Sequence, residues 1–374
     1  MKRPPFCPNP KCSYHDRTLS TRQKWFWKRG FSSTKINGRN QCFQCKQCGR
    51  YFSERIFHID YYAKKEIDYR ELLNSLKTCS GIRDMARHFH CRDSTIQNRI
   101  RRLCVNIIAF WQDAYQYYQS REKGQFAADG LESFTSSQFF PCHINILVGK
   151  ESQFIYDFSY FFFKRKGRTT QKQRQIIDRL YALIPFEDKP SKRSFRDIMM
   201  SLQNLAEQDV TLHTDEHPVY PIVIEELKRS GCFENINHRV TSSQVFRNTS
   251  NNLFCVNYID RQIRKDLAEH VRETVQFARN SNNCMERFVC YSFWHNFQKP
   301  FRVDRKKRGF ETHAEAAGFD MERLKEKMED VFTKRSFYSF YREELEGYRK
   351  RVWESDGPTP FPRGKRYLAR YLVA

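Results

Sequence analysis

Residues 126–167, FAADGLESFTSSQFFPCHINILVGKESQFIYDFSYFFFKRKG, contain three successive extended segments: FAADGLESF, HINILVGK and QFIYDFSYFFFKRKG. Glycine or charged turns separate them, which is how successive strands are punctuated. Two helical stretches follow, QKQRQIIDRLYALI and SFRDIMMSLQNLAE, parted by PFEDKPSK. Beyond them DVTLHTDEHPVY reads as an apolar strand ending in acid and IVIEELKRSG as a helix. HRVTSS is a short extended piece, and Leu253 to Arg279 is expected to form one long helix.

The resulting order, βββ, α, β, α, β, α, predicts an α/β fold of the ribonuclease-H-like type over residues 124–298, a mixed sheet flanked by helices. In such a sheet the chemistry sits at strand ends, where carboxylates gather divalent ions. Asp129 follows the apolar Phe126-Ala127-Ala128 in the first strand, and Asp215 closes the fourth in LHTDEH. A third acid is expected from the long helix. There Asn257, Asp260 and Arg264 share one face at helical spacing. Asp260 is the preferred third acid, with Glu286 in NCMERF as the alternative. Asp266, Glu269 and Glu273 read as solvated surface charges.

Upstream, the thirteen cysteines of this 374-residue chain include two knuckles, Cys7 and Cys12 in CPNPKC and Cys45 and Cys48 in CKQCGR. An odd number of thiols in a chain beginning MKRPPFCPNP, without a secretion signal, argues for reduced cysteines and a metal site. Paired knuckles at these spacings predict a four-thiolate zinc ribbon over residues 1–57, with WFWKRG and FSSTKING forming a hairpin between them. Cys42 stands close enough to replace Cys45 in the set.

From Tyr69 the pattern becomes helical, with apolar stripes Leu72-Leu73-Leu76, Ile82-Met85-Ala86-Phe89 and Ile96-Ile100-Leu103. The turn HCRDST, with Asp93 or Ser94 as N-cap, makes residues 58–110 a helix-turn-helix domain. Its last helix offers Gln97 and Asn98 to base edges and Arg99, Arg101 and Arg102 to phosphates, which points to duplex DNA as partner. The charge balance agrees. The whole chain carries 66 Lys and Arg against 43 Asp and Glu, a formal net charge of +23, and residues 1–123 hold a net +15 of it by direct count of the sequence. Aromatic residues make up 15% of the chain, too much buriable surface for a solvated polyelectrolyte. No apolar run is long enough for a membrane span, so a cytoplasmic, nucleoid-associated protein is expected. Residues 299–374 read as a basic helical segment in which the SFYSFY aromatics serve core packing or a dimer contact.

The knuckles CPNPKC and CKQCGRYFS, the helix-turn-helix, Asp129, the HTD at 213–215 and VNYIDRQIR…VRETVQFARN together resemble bacterial insertion-sequence transposases of the DDE class. The likeness runs over about residues 1–300. It implies Mg²⁺ or Mn²⁺ at Asp129, Asp215 and Asp260, structural Zn²⁺ at the cysteines, and DNA contacts from Arg264 and Arg272 as well. The family's RxT-x-F helix is similar to Arg272-Glu273-Thr274-Val275-Gln276-Phe277, a register that sets the usual Glu near Asn257. The implied reaction cuts DNA at element ends to free a 3′-hydroxyl and joins it to target DNA by transesterification, without a covalent enzyme intermediate. Two protomers are expected to pair the two ends, as a homodimer or larger assembly.

Overall fold

A computed structural model describes residues 3–354 apart from positions 23, 37, 185, 206–208, 247, 273, 275 and 305–308. The chain begins with a short turn of helix, then α1 (Arg17–Arg22) and a three-stranded antiparallel sheet of β1 (Phe26–Thr34), β2 (Gly38–Cys45) and β3 (Tyr51–Ser53). Gly38 turns the hairpin and Gly49 follows the second knuckle, both with left-handed φ (58° and 69°). Phe6, Trp25, Phe26, Phe43, Phe52, Ile56 and Phe57 make a small aromatic core under this sheet. Phe337, from far downstream, completes it, with its ring 4.9 Å from that of Phe6.

Three helices follow: α2 (Tyr69–Leu76), α3 (Ile82–His88) and α4 (Asp93–Ala114). Asp68 caps α2 by accepting the N–H groups of Arg70 and Glu71. At the expected turn, Arg92 rather than Asp93 or Ser94 takes the N-cap position of α4, without a side-chain cap. The three predicted stripes are the buried faces, since Leu72, Leu73, Leu76, Met85, Ile96, Ile100 and Leu103 are all buried. α4 runs on to Ala114, past the expected end at 110, and its second half enters the main core.

The main sheet contains β4 (Gln125–Phe134), β5 (Pro141–Gly149), β6 (Ile155–Phe162), β7 (Val210–Thr214) and β8 (Ile236–Val240), in the order β6-β5-β4-β7-β8. β4, β5 and β6 pair antiparallel, whereas β7 pairs parallel to β4 and β8 parallel to β7. This five-stranded mixed sheet is compatible with the expected ribonuclease-H-like arrangement. The connections are α5 (Gln171–Tyr181), opened by a Thr170–Gln173 capping box, α6 (Pro190–Leu205) and α7 (Val219–Arg229).

After β8 the chain forms α8 (Phe254–Asp266) and α9 (Ser281–Phe297). The single helix expected from Leu253 to Arg279 is therefore a correction: α8 stops at Asp266, and the described residues of 271–280 are irregular. Its physical reason is tertiary, because Ser136 N–H reaches the Ala278 carbonyl at 2.7 Å and Thr135 pairs with Ala278 as a parallel bridge. α9 is buried all round and packs along α4, with Phe293 and Phe297 against Phe110. Last come α10 (His313–Ala317), α11 (Met321–Thr333) and α12 (Gly347–Glu354). Much of the basic run at 299–308, and residues 355–374, lie outside the described residues.

One apolar cluster includes Leu72, Ile100, Ile108, Ile146, Phe158, Phe288 and Trp353, so α2–α4, the sheet and the C-terminal helices share a core. Among the described residues no helix is long and apolar enough to cross a membrane.

Candidate carboxylate site and thiol cluster

The parallel pairing of β4 with β7 sets Gln125 opposite Thr211, Phe126 opposite Leu212 and Ala127 opposite His213. Continued by two residues, this register brings Asp129 level with Asp215, just past the carboxyl end of β7, on neighbouring strands about 4.8 Å apart. Asp129 accepts the Gly130 N–H at 2.7 Å, and Asp215 accepts the His217 N–H at 2.9 Å. Both acids act on one group. The Tyr220 phenol at the start of α7 is held well above the ordinary tyrosine value, chiefly by burial and then by the charges of Asp129 and Asp215.

His143 stands opposite Glu132 on β5 and stacks on Phe161. Its Nε2 would lie 1.6 Å from a Cβ built at Gly130, so glycine there admits the imidazole beside the acidic strand end. Burial, and then His217, push His143 down to about 4, with Asp215 opposing. His143 is therefore neutral at pH 7. Neither His143, His217 nor Tyr220 was picked out in the sequence, although the spacing HTDEHPVY places two of them beside Asp215.

α8 runs alongside β4 in the same direction. Near its start the Lys150 ammonium bonds Asn252 at 2.9 Å while Lys150 N–H donates to Gln125; near its end Arg264 donates to the Glu132 carbonyl at 3.0 Å. Four residues of helix span about 6 Å, or two residues of strand. Asp260 thus stands near the level of Gly130, and Asn257 one turn earlier is nearer the level of Asp129. Asp260 accepts from Arg264 at 3.2 Å. Glu286 is placed elsewhere, on α9, where it is buried and takes Arg101 at 2.6 Å and Gln97 at 3.1 Å.

The expected solvated acids behave otherwise. Asp266 is buried and accepts from the Tyr291 hydroxyl at 3.3 Å, while Glu269 is buried against Arg287. Glu273 lies outside the described residues. Both buried acids serve the packing of α9, an arrangement that no local pattern announces. Glu269, His270 and Cys284 also converge, but Arg287 holds the acid and Ser133 bonds His270 Nδ1 at 3.0 Å, so the cluster reads as internal packing.

The four knuckle thiols come together, with all four sulfurs within 4.8 Å of one another. A tetrahedron with metal–sulfur bonds of about 2.3 Å has edges of about 3.8 Å. The Cys7–Cys48 and Cys12–Cys45 separations, 3.6 and 3.7 Å, are of that size and each joins one knuckle to the other. Cys42 is outside the set and turns toward the Asn40 carbonyl. Burial pushes the Cys7 thiol up and takes Cys12 up to about 11. At Cys48 burial is outweighed by hydrogen bonds led by the Arg50 N–H, and the thiol comes down to about 7. Four sulfurs so arranged fit a metal ion, whose charge would favour the thiolates that burial alone resists.

Of the five α4 residues expected to meet DNA, four make internal contacts. Arg99 is buried, donates to the Lys65 carbonyl at 2.8 Å and faces Asp60 at 3.5 Å. Arg102 donates to the Ile59 and Tyr61 carbonyls, each at 2.8 Å. Gln97 and Arg101 hold Glu286. Asn98 alone of the five is exposed, bonded to Ser94 one turn back. Arg272 is exposed in the irregular segment after α8, where the expected RxT-x-F helix is absent among the described residues.

No family model matches the chain, and no curated protein matches it. Among solved structures, one in the crystal structure of the Mos1 strand transfer complex aligns over 72% of this chain and 78% of that chain, at 11% identity and a TM-score of 0.23. So loose a superposition carries no argument here.

Proposed function

We propose that the chain is a DNA transposase of the DDE type, which cleaves DNA at element ends and joins the freed ends to target DNA. The observation that carries this reading is the β4–β7 register, which brings Asp129, inside β4, level with Asp215 just past the carboxyl end of β7. Two carboxylates at one strand edge, beside a neutral His143 and a protonated Tyr220, make a locally anionic site able to hold divalent cations. Asp129 and Asp215 would hold Mg²⁺ or Mn²⁺, with Asp260 or Asn257 on α8 as the third ligand. Bound there, such ions activate the nucleophile and offset charge on the departing oxygen at phosphorus. Arg264 takes one oxygen of Asp260, and the other oxygen would supply the ligand. Zn²⁺ is the proposed occupant of the four-thiolate cluster, with a structural role. Duplex DNA at element ends and target is the proposed partner, and two protomers would pair the ends.

The Asp260–Arg264 pair favours one second reading, a retired copy that binds DNA but does not cut it. Incubation with DNA flanking the chain's own gene and Mg²⁺ separates these readings. Joined strands are expected. Cleavage without joining would leave a nuclease, no cleavage would leave a binding protein, and full activity in Asp129→Asn would remove the site assignment.

A further inference from the structure

If α4 keeps its polar side chains for internal contacts, another surface must meet nucleic acid. Residues 17–53 contain nine Lys and Arg and, by count of the sequence, no Asp or Glu. The β1–β2 hairpin lies inside this stretch. β2 is anchored at Asn40, Cys42, Phe43 and Cys45 and β1 at Phe26, while Trp27 to Phe31 are all exposed along β1. Three large rings stand out in solvent there: Trp27 at 46%, Phe31 at 54% and Tyr51 at 57% exposure. Clustered exposed aromatics mark a contact surface.

Their placement is regular. Trp27 is opposite Gln44, and Gln44 is opposite Tyr51, so the two rings flank one amide on a single face, about 10 Å apart across two strand spacings. Cations accompany the rings. The Arg29 guanidinium lies 5.1 Å from the Trp27 centroid and bonds Gln44 at 2.8 Å, and that of Arg39 lies 3.8 Å over Phe31.

We propose that this ribbon binds an unpaired DNA strand, with bases stacking on Trp27 and Tyr51 and phosphates held by Lys28, Arg29, Lys46 and Arg50. The inference rests on the reading of the chain as a DNA-processing protein and adds a strand-binding site to it. Charge identifies the class of partner, because an acid-free ribbon is complementary to a polyphosphate. The rings identify the form of the strand. In a duplex the base faces are already stacked on one another, whereas in an unpaired strand they are open to aromatic side chains.

The test uses the full-length, zinc-loaded protein and fluorescence anisotropy with a labelled oligothymidine strand, a blunt duplex of equal length and an oligouridine strand. Tighter binding of the DNA strand than of either competitor is expected. Trp27→Ala and Tyr51→Ala should each weaken strand binding by about 5- to 100-fold, with the salt dependence unchanged and Trp27→Phe restoring part of the affinity. Arg29→Gln and Arg50→Gln should each lower the log–log salt slope by about 0.7. Unchanged strand binding in both ring variants, at full metal content, would overturn the proposal. So would equal or tighter binding of the blunt duplex, or a preference for the RNA strand. The two readings fail separately: ring-dependent strand binding without any Mg²⁺-dependent cutting removes the transposase, and cutting with ring-independent binding removes the ribbon site.

Discussion

The N-terminal ribbon and the five-stranded sheet are held together by different means. The ribbon's core is a handful of aromatics beside four thiols, and one of those aromatics, Phe337, is borrowed from the C-terminal segment. The sheet is covered on both faces and belongs to an apolar cluster reaching from Ile59 to Trp353. A small core of that kind needs a staple, whereas a large one tolerates buried charge and an acidic edge. The same difference governs where surface is left over. The ribbon leaves rings and cations in solvent, and the sheet leaves carboxylates at a strand end.

The strongest way to break this contrast is to remove the metal. Chelation, or Cys45→Ser, should abolish binding of one metal ion per chain and unfold the ribbon, since such sites contribute about 10 kcal/mol or more to folding. Hydrogen exchange would show protection lost over residues 26–53 and kept over 125–162. Cys42→Ser should retain the ion, because its sulfur faces the Asn40 carbonyl; metal content measured after gel filtration checks both variants.

The converse test removes charge from the sheet edge. Asp129→Asn is expected to lower Mg²⁺-dependent cleavage about 10⁴-fold, equivalent to about 5.5 kcal/mol of barrier, with circular dichroism and thermal midpoint unchanged. A fall in stability instead of activity would make Asp129 a structural residue.

Buried charge offers a third test within the larger core. Arg101→Met strands Glu286, which is buried at the α4–α9 contact, and should cost about 3–5 kcal/mol in urea denaturation. Adding Glu286→Leu should return much of that loss. Gly130→Ala is expected to cost less, about 1–3 kcal/mol, because His143 must move to admit the methyl group; the imidazole NMR signals of His143 would shift in step.

Acid stability offers a further test of the larger core. Burial holds His270 and His313 down to about 4 and keeps His295 well below its ordinary value. Unfolded, these rings protonate near their ordinary 6.5. Between about 6.5 and 4 the unfolded chain therefore binds more protons, so stability is full above this window and declines as pH falls through it. A urea midpoint at pH 5 below that at pH 7 is the expected result. It should be followed by probes in the sheet region, where all three histidines lie.

Much of this organisation is written locally. C-x₄-C and C-x₂-C spacing brings two sulfurs to one point within each knuckle, and short apolar runs between turns make HINILVGK and QFIYDFSYFF strands buried on both faces. The strand pattern also pointed to Asp129 inside the first strand and Asp215 at the end of the fourth. Other features depend on partners far away in the chain. Gln97 and Arg101 look like a DNA-reading face until Glu286, almost two hundred residues later, takes them up. The continuous polar helix expected from Leu253 to Arg279 is interrupted because Ala278 bridges to Thr135, and Asp266 and Glu269 become interior residues once α9 lies over them.

By itself, then, the sequence determined the cysteine knuckles, the strand and helix order, the basic N-terminal third and two of the acids. Each depends on residue type and on neighbours within a few positions. Tertiary structure alone decided which cations stay free, which acids are buried, which cysteine joins the cluster, and that Asp129 stands beside Asp215. Those outcomes follow from strand register and helix packing, where a buried charge takes whichever partner the fold brings within reach, because burial without one costs more than the pairing does.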